Sequence, residues 1–290
     1  MTHKQNQLTL NEISPPDYLV IGHVTSDLVD STTYLGGTAT FSALTSQALG
    51  MRPGIITASS MDCDLAPLNH FWLSNTLSPQ TTTFENISNG GVRLQFLYHT
   101  ALPISAEQLP SFNSPPKIVH LGPVANEVDP NIIESFPNSF KCLTPQGWFR
   151  TVNGNNRVLL RKWAEAEKFF SKADIAIISV EDVLSDEETI AKLASSIPIL
   201  VVTESHKGAR VYWHNDARFI KAPEVECVND TGAGDIFATA FFCRYYSTKD
   251  PWESGRFATL LASWSVTRSY LESIPLPDEI SRARMEFIKN

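Results

Sequence analysis

Short apolar runs rich in branched residues recur along the chain, separated by segments whose apolar residues follow helical spacing. Such runs predict strands that are buried on both faces, and their alternation with helices builds a parallel sheet. The predicted strands are residues 18–22, 54–58, 117–121, 174–179 and 199–203. One predicted helix follows Gly36-Gly37, and the others cover residues 158–172, 187–195, 233–246 and 252–270. The pattern therefore predicts an α/β fold around a mostly parallel sheet.

Two segments depart from this rhythm, residues 27–35 and 81–100, in which polar and apolar residues alternate. Alternation of this kind, with Thr, Phe and Tyr, predicts half-buried antiparallel strands that form a small β lid on the parallel core. Residues 1–16 are polar and predict a flexible tail. No internal repeat or linker divides the rest, so we expect a single domain over residues 17–290 that carries the lid.

The composition narrows the classes of function. Hydrophobic residues make up 42% of the 290 residues, which is enough for a sizeable core. The net charge of −8 disfavours nucleic acid as a partner, because binding to a phosphate backbone needs clustered Lys and Arg. No apolar stretch reaches the roughly 20 residues of a membrane span, and the first residues lack a signal-peptide core, so we expect no membrane and a cytoplasmic location. The four cysteines form no CxxC pair, which disfavours disulfides and zinc sites.

The segment Asp230-Thr-Gly-Ala-Gly-Asp235 carries the clearest chemistry, at the predicted start of a helix. Backbone N–H groups at a helix N-terminus are unpaired and favour anions. The small residues Gly232, Ala233 and Gly234 would let a phosphate group approach these amides closely. Asp235 would then face the phosphate site and act on a proton. The alternative is an ordinary helix cap followed by a glycine turn within the same segment.

This string resembles the signature of the ribokinase-like (PfkB) carbohydrate kinases, and the resemblance extends over most of the chain. Residues 22–27 resemble the family's opening strand, and Gly36-Gly37 resembles its first glycine signature. Residues 203–208 resemble the segment near the nucleotide phosphates, and residues 265–268 the helix that borders adenine. The family implies a doubly wound, mostly parallel sheet with helices on both faces and a β lid. It also implies phosphorylation of a hydroxyl on a sugar or small polyol, with ATP and Mg²⁺ as cofactors.

The resemblance also implies roles for individual residues. Asp235 would be the catalytic base that accepts the proton of the acceptor hydroxyl. The residues of the implied anion hole are Gly232, Ala233 and Gly234. Those implied for substrate binding are Asp27, Gly36 and Gly37, although Asp27 taken alone also suits a turn after a strand. Those implied for the nucleotide are Thr203, Lys207, Gly208, Thr231 and Ser265.

Two positions depart from the family's usual pattern. Many members order Mg²⁺ through waters with an Asn-x-x-Glu motif, and the matching stretch in this chain is Ser179-Val-Glu-Asp182. Asp182 would take the place of the glutamate, and Glu181 is the alternative. The first glycine signature often contains an asparagine that contacts the sugar, and Phe41 occupies that place in this chain. We therefore expect Phe41 to bind substrate by offering an apolar face to a cyclic polyol.

These departures resemble the inositol kinase branch of the family, as does the segment Gln146-Gly-Trp-Phe-Arg150. Gln146 and Arg150 would bind hydroxyls or phosphate at the mouth of the pocket, unless the segment belongs only to core and surface. We expect inositol as the favoured acceptor, with a pentose, hexose or nucleoside as the alternative, and a monomer or a homodimer through the lid. A non-catalytic protein of this fold and a nicotinamide oxidoreductase are the rival classes, and the late position of the glycines disfavours the second.

Overall fold

The central sheet has nine strands. The structure is a computed structural model that describes residues 15–89 and 92–285. Most of the predicted tail, residues 1–14, therefore lies outside the described residues. In chain order the strands are β1 (Tyr18–Ile21), β2 (Thr25–Val29), β3 (Thr32–Gly36), β4 (Pro53–Ser59), β5 (Trp72–Leu77), β6 (Thr82–Asn89), β7 (Val92–His99), β8 (Ile118–Leu121), β9 (Phe140–Leu143), β10 (Arg150–Val152), β11 (Val158–Leu160), β12 (Ile175–Ser179), β13 (Ile199–Thr203), β14 (Gly208–Trp213) and β15 (Asp216–Lys221). The order in the central sheet is β15-β14-β13-β12-β9-β8-β1-β4-β5. The strands from β13 to β5 pair in parallel, and β14 and β15 extend one edge in antiparallel.

Helices cover both faces of this sheet. They are α1 (Thr38–Ala48), α2 (Ala166–Phe170), α3 (Glu187–Ser196), α4 (Ala233–Thr248), α5 (Pro251–Ser265) and α6 (Pro277–Met285). Along β1, Tyr18 and Val20 join the core on the side of α1, α4, α5 and α6, while Leu19 and Ile21 join the core on the side of α2 and α3. Burial of both faces explains why these strands are unbroken apolar runs in the sequence. The predicted doubly wound α/β fold, with a mostly parallel sheet, is confirmed.

The lid is a separate four-stranded sheet with the strand order β3-β2-β6-β7. β2 forms an antiparallel hairpin with β3 and a parallel pair with β6, and β6 pairs in antiparallel with β7. The register places one residue of each strand in a single row across the lid. This lid row is Tyr34, Asp27, Phe84 and Leu97. Residues opposite each other in neighbouring strands share a face, and Phe84 and Leu97 are buried against Val124, so this face is turned towards the body.

The buried side chain of His23, in the connection from β1 to β2, links the start of β6 to the segment that follows β7. Its Nδ1 lies 2.7 Å from Thr82 Oγ1 at the start of β6, and its Nε2 lies 2.9 Å from the carbonyl oxygen of Leu102. The backbone N–H of His23 donates to the carboxylate of Glu127, which also accepts the N–H of Val124. The lid is therefore fixed to the body at its two central strands, β2 and β6.

The prediction of a helix over residues 158–172 is wrong. β11 pairs with β10 in a small antiparallel sheet, and only the short helix α2 follows. The turn between the two strands contains Asn156 with a φ of +60°, a left-handed conformation that Asn tolerates. The apolar residues with apparent helical spacing serve two different elements. Val158 packs on the lid, whereas Phe169 and Phe170 pack on the central sheet.

The predicted helix over residues 252–270 ends earlier than expected, at Ser265. The carbonyl oxygen of Val266 accepts the N–H groups of Val228 and Asn229 at 2.8 and 3.1 Å. This carbonyl therefore accepts hydrogen bonds from the segment that leads to the glycine turn, and not from an N–H group of a further helical turn. A 3-10 turn over Tyr270–Ser273 follows and lies beside that segment.

None of the helices within the described ranges combines the length and the apolar character needed to cross a membrane. The cysteines Cys63, Cys142, Cys227 and Cys243 are free thiols. Cys142 and Cys243 are buried in the core, where they pack as small apolar side chains.

Candidate active site

Asp235 lies in the first turn of α4, directly after the glycine turn. Gly232 caps this helix with a φ of +82°, a left-handed conformation that favours glycine. Burial raises the pKa of Asp235 to about 6. A hydrogen bond from the side chain of Thr38 and the charge of Arg150 hold that pKa down, whereas the charge of Asp27 adds to the rise. The carboxyl group therefore changes its protonation state close to neutral pH, as a general base requires.

Asp27 lies in the lid row, where it is only 8% exposed and accepts a hydrogen bond from Thr25 Oγ1 at 2.8 Å. Its other oxygen lies against the backbone of Gly36, because a Cβ there would be 2.3 Å from Asp27 Oδ2. Gly37 has a φ of +86°, and a Cβ there would be 2.5 Å from the carbonyl oxygen of His23. The two glycines thus let α1 begin directly beside the Asp27 carboxylate. The structure brings together the three residues that the sequence analysis placed at the substrate.

The segment from Gln146 to Arg150 divides between core and site. Its two aromatic residues are buried in the core. Burial raises the pKa of Asp182, and the charge of Arg150 and a side-chain hydrogen bond with Gln146 oppose that rise. Arg150 acts on the carboxyl group of Asp235 in the same way. The guanidinium of Arg150 is therefore close to both carboxyl groups.

Asp182, the residue predicted to order Mg²⁺, caps a short helix. Its carboxylate accepts the N–H of Ser179 at 2.8 Å, and Ser179 Oγ accepts the N–H of Glu181 at 3.2 Å. Together they form a capping box around the 3-10 helix Val180–Val183. Within residues 15–89 and 92–285, no group of three or more His, Cys, Asp or Glu side chains is placed to hold a metal ion. This donor set does not fit a metal held by the protein alone, and of the two carboxylates only Glu181 is exposed.

The glycine turn has one open position. Gly234 is exposed, and a Cβ built there would meet no protein atom within 4 Å. The N–H of Ala233 donates to the carbonyl oxygen of Asp230 at 3.2 Å and so serves the turn itself. The N–H of Thr231 donates to Asn229 Oδ1 at 2.8 Å, which closes the preceding turn. A phosphate group that reaches this helix end therefore approaches it at Gly234.

The prediction that Phe41 presents an apolar face to the substrate is wrong. Phe41 is 1% exposed, and a Cβ built at Gly232 would be 2.4 Å from two carbons of its ring. Its backbone N–H donates to the carbonyl oxygen of Gly37 in the first turn of α1, the helix that packs on α4. Burial of a large apolar ring between two helices is favourable, which explains its inward direction. The ring of Phe41 supports the glycine turn from beneath.

Three of the residues predicted for the nucleotide lie at the carboxyl end of β13. Lys207 is exposed. Gly208 has a φ of +126°, and a Cβ there would be 2.0 Å from the carbonyl oxygen of Ile220, so the pairing of β14 with β15 requires glycine. Thr203 Oγ1 donates to the carbonyl oxygen of Ile178 at 3.3 Å.

The prediction that Ser265 contacts the nucleotide is wrong. Ser265 is 1% exposed, and its hydroxyl donates to the carbonyl oxygen of Ala262 at 2.8 Å. A hydroxyl in the last turn of a helix commonly bonds back to its own backbone in this way. The hydroxyl is thus paired within α5 and shielded from solvent.

Two threonines at the site were not predicted from the sequence. Thr38 follows Gly36-Gly37 directly and is the first residue of α1, within hydrogen-bonding reach of Asp235. Thr25 lies two residues before Asp27 in β2, and strand alternation places both on one face. A hydroxyl residue adjoining each implied functional residue was the signal available in the sequence.

A comparison with protein families matches residues 135–279, half of the chain, to the pfkB family of carbohydrate kinases. The chain belongs to the PfkB family. The family consists of phosphotransferases, and the matched residues include the segment around Asp182, the carboxyl end of β13 and the whole glycine turn with Asp235.

Solved structures of PfkB relatives share this fold. A pyrophosphate-dependent kinase of the ribokinase family, solved with a pyrophosphate analogue and myo-inositol, has a TM-score of 0.77 at 23% identity, over 92% of this chain and 99% of that one. An uncharacterized sugar kinase from Pyrococcus horikoshii, solved with ATP, has a TM-score of 0.71 at 19% identity, over 92% and 99% of the two chains. These likenesses establish the ribokinase-like fold.

Similarity to a curated relative is confined to a short segment. The probable fructokinase-4 of Arabidopsis thaliana is 30% identical over 87 residues, which make up 30% of this chain. The matched segment spans only 27% of that relative's own length.

Proposed function

We propose that the protein transfers the γ-phosphoryl group of ATP to a hydroxyl of a sugar or cyclic polyol, with inositol as the favoured acceptor. The observation that carries the proposal is the position of Asp235, in the first turn of α4 and within electrostatic reach of Asp27 on the lid. A base, an anion-binding helix end and a carboxylate that binds hydroxyls are the groups that phosphoryl transfer to an alcohol requires.

The mechanism follows from what these groups do. An alcohol is a weak nucleophile at neutral pH, and Asp235 accepts its proton as the phosphoryl group moves across. Asp27 accepts hydrogen bonds from the other hydroxyls of the acceptor and so orients the attacking one. Negative charge on the phosphoryl oxygens lies at the N-terminus of α4, where the helix dipole and the open position at Gly234 favour an anion. Arg150 adds a positive charge on the same side.

ATP is the donor we propose because of an apolar surface beside the glycine turn. Val228 is 63% exposed, and its backbone N–H donates to the carbonyl oxygen of Val266, which holds it next to the end of α5. An adenine ring can pack on an exposed apolar side chain, whereas pyrophosphate has no apolar part. Mg²⁺ is expected only as a partner of the donor phosphates, because it keeps several waters and needs few protein ligands.

The lid row supports a small polyol as the acceptor. The carboxylate of Asp27 stands beside the half-buried side chain of Tyr34, so this part of the lid row pairs one polar group with one aromatic ring. Such a surface suits a molecule with hydroxyls around its rim and C–H groups on its faces. Inositol has this form, and the pentoses, hexoses and nucleosides are the alternative acceptors.

The test is a screen of donor and acceptor pairs with the purified full chain. ATP and pyrophosphate are each supplied with myo-inositol, ribose, fructose or adenosine, with and without Mg²⁺, and phosphorylated product is measured. We expect Mg²⁺-dependent product from ATP, with the highest kcat/KM for myo-inositol. Turnover with pyrophosphate but not with ATP would contradict the proposal that ATP is the donor. A higher kcat/KM for a sugar or a nucleoside than for myo-inositol would contradict the proposed acceptor. Absence of product from every pair would favour a non-catalytic protein of this fold.

The pH dependence of turnover gives a further prediction. Asp235 acts as a base only when ionised, and burial raises its pKa to about 6. We expect kcat/KM to be level near neutral pH and to fall about tenfold per unit below about pH 6. Thr38→Val removes a hydrogen bond that lowers this pKa, so the fall should begin at higher pH. Initial rates between about pH 5 and 8 check both, with melting temperatures as the control for folding. A level rate down to pH 5 would contradict the assignment.

A further inference from the structure

Two tyrosines stack face to face between the lid and the body. Tyr34 lies in β3, the edge strand of the lid, and Tyr270 lies in the 3-10 turn after α5. Their ring centroids are 3.8 Å apart and their planes differ by 1°. Aromatic pairs left to themselves prefer offset or edge-to-face arrangements with centroids about 4.5–7 Å apart. The surrounding protein therefore holds this pair in a closer stack than ring–ring attraction alone favours.

The backbone of Tyr270 is itself unusual. Its φ is +48°, in the left-handed region that a bulky side chain rarely adopts. The side chain of Arg268 secures the turn by donating to the carbonyl oxygen of Glu272 at 2.7 Å and to the carboxylate of Glu279. Residues kept in such conformations concentrate at ligand sites, where the surrounding structure enforces them. The turn after α5 thus fixes the place of the Tyr270 ring against Tyr34.

Both rings lie at the candidate acceptor site. Tyr34 is the direct neighbour of Asp27 in the lid row, so the two side chains share the face that is turned towards the body. The side chain of Tyr270 hydrogen-bonds with that of Asn229, which also accepts the N–H of Thr231. The pair therefore reaches from the carboxylate proposed to bind hydroxyls to the segment that leads into the glycine turn.

We propose that Tyr34 is a specificity-determining residue that closes the acceptor site along β3 as the apolar wall on which a closed-ring acceptor packs beside Asp27, and that Tyr270, stacked on the other face of the Tyr34 ring, is the residue that positions this wall. The inference rests on the proposed phosphotransferase function and names the class of acceptor that this function takes. It also supplies the apolar face that Phe41, buried beneath the glycine turn, does not provide.

A rigid wall distinguishes closed rings from open chains. The C–H groups of a cyclic polyol form flat faces that pack on an aromatic ring, while its hydroxyls remain free to meet Asp27 and Arg150. An open-chain polyol with the same number of hydroxyls can make those hydrogen bonds, but it has no flat face and loses more rotational freedom on binding. The wall thus contributes to the binding of the ring and little to that of the chain.

The experiment compares myo-inositol with sorbitol as acceptors for the full chain and its variants. Tyr34→Ala and Tyr270→Ala should each lower kcat/KM for myo-inositol about five- to tenfold, mainly through KM. The value for sorbitol and the KM for the donor should change less than about twofold. Tyr34→Phe keeps the ring and should keep the wild-type preference. If the screen of donors and acceptors identifies a different cyclic acceptor, that sugar and its open-chain alditol take the place of myo-inositol and sorbitol in the comparison.

Tyr98→Ala is the matched control. Tyr98 also lies in the lid, but it is exposed and donates to Glu85, on the face opposite to the lid row. This variant should leave the preference unchanged, and melting temperatures identify any variant that fails to fold. An equal loss for both acceptors in the Tyr34 and Tyr270 variants, or no loss at all, would overturn the inference while leaving the kinase in place. Absence of turnover in the wild-type protein with every acceptor would instead remove the proposed function and the inference with it.

Discussion

Asp235→Asn is expected to lower kcat by a factor of about 10²–10⁴ while leaving donor binding and the fold intact. The amide has the size of the carboxylate but cannot accept the proton of the acceptor hydroxyl. Its effect on stability has a defined sign. An acid whose pKa is raised by folding loses folded-state stability as the pH rises from its usual pKa of 3.8 to about 6. At pH 7 the ionised Asp235 therefore destabilises the fold, and the variant should melt at the same temperature as the wild type or higher.

The measurement is steady-state turnover together with thermal unfolding at pH 7. Asp174→Asn is a suitable control, because Asp174 directly precedes β12, at the amino end of the parallel strands, and accepts the N–H of Lys141 at 2.7 Å. Its turnover should match that of the wild type. Near wild-type turnover in Asp235→Asn would remove the base from the mechanism. A large loss that came with a lower melting temperature would point to a structural role instead.

Gly234→Val is expected to abolish most turnover without loss of stability. A Cβ at Gly234 meets no protein atom within 4 Å, and its backbone is not left-handed, so the folded protein accommodates the side chain. The added methyl groups occupy the space through which a phosphate group approaches the N-terminus of α4. Removing a single donor of an anion hole lowers kcat about 10²–10³-fold in other enzymes, and we expect a loss of at least this size.

Two other glycines serve as comparisons for this variant. Gly154→Val adds the same side chain in the turn between β10 and β11, where a Cβ also meets nothing within 4 Å, and should have wild-type turnover. Gly232→Ala should fail differently, since its φ is +82° and its Cβ would lie 2.4 Å from the ring of Phe41. It should lower the melting temperature as well as the rate. Unchanged turnover in Gly234→Val would show that the phosphoryl group does not approach this turn.

The elements that the sequence predicts well are those defined by local pattern. Both faces of β1 and β13 are covered by helices, so these strands are unbroken apolar runs, and such a run is visible directly in the sequence. The start of α4 is predicted just as well, because its signals are adjacent in the sequence: the glycine turn comes first and the acidic residue of the first helical turn follows directly. Asp27 and Gly36 lie close together because both belong to the hairpin of β2 and β3, in the segment that the alternating pattern predicts as lid strands.

What the sequence could not supply is the direction of single side chains. Phe41 and Ser265 occupy the expected helices, but whether each points into a pocket or into the body depends on which helix packs against it. Asp182 likewise lies in the expected place, yet its carboxylate is used by the backbone of Ser179. The stack of Tyr34 on Tyr270 joins the lid to the far end of the chain, and no periodicity in either segment predicts such a pair.

The contact between Phe41 and Gly232 constrains how the substrate range of this chain can evolve. A substitution at Phe41 would alter the support of the glycine turn, so a change aimed at the acceptor would also disturb the phosphate end of the reaction. The segment that begins at Gly36-Gly37 is therefore coupled to the glycine turn through the ring of Phe41, and position 41 is not free to adapt to a new sugar. The contact between Phe41 and Gly232 joins α1 to the glycine turn and does not include the strands of the lid, so the lid is the region where acceptor preference can diverge while phosphoryl transfer is preserved.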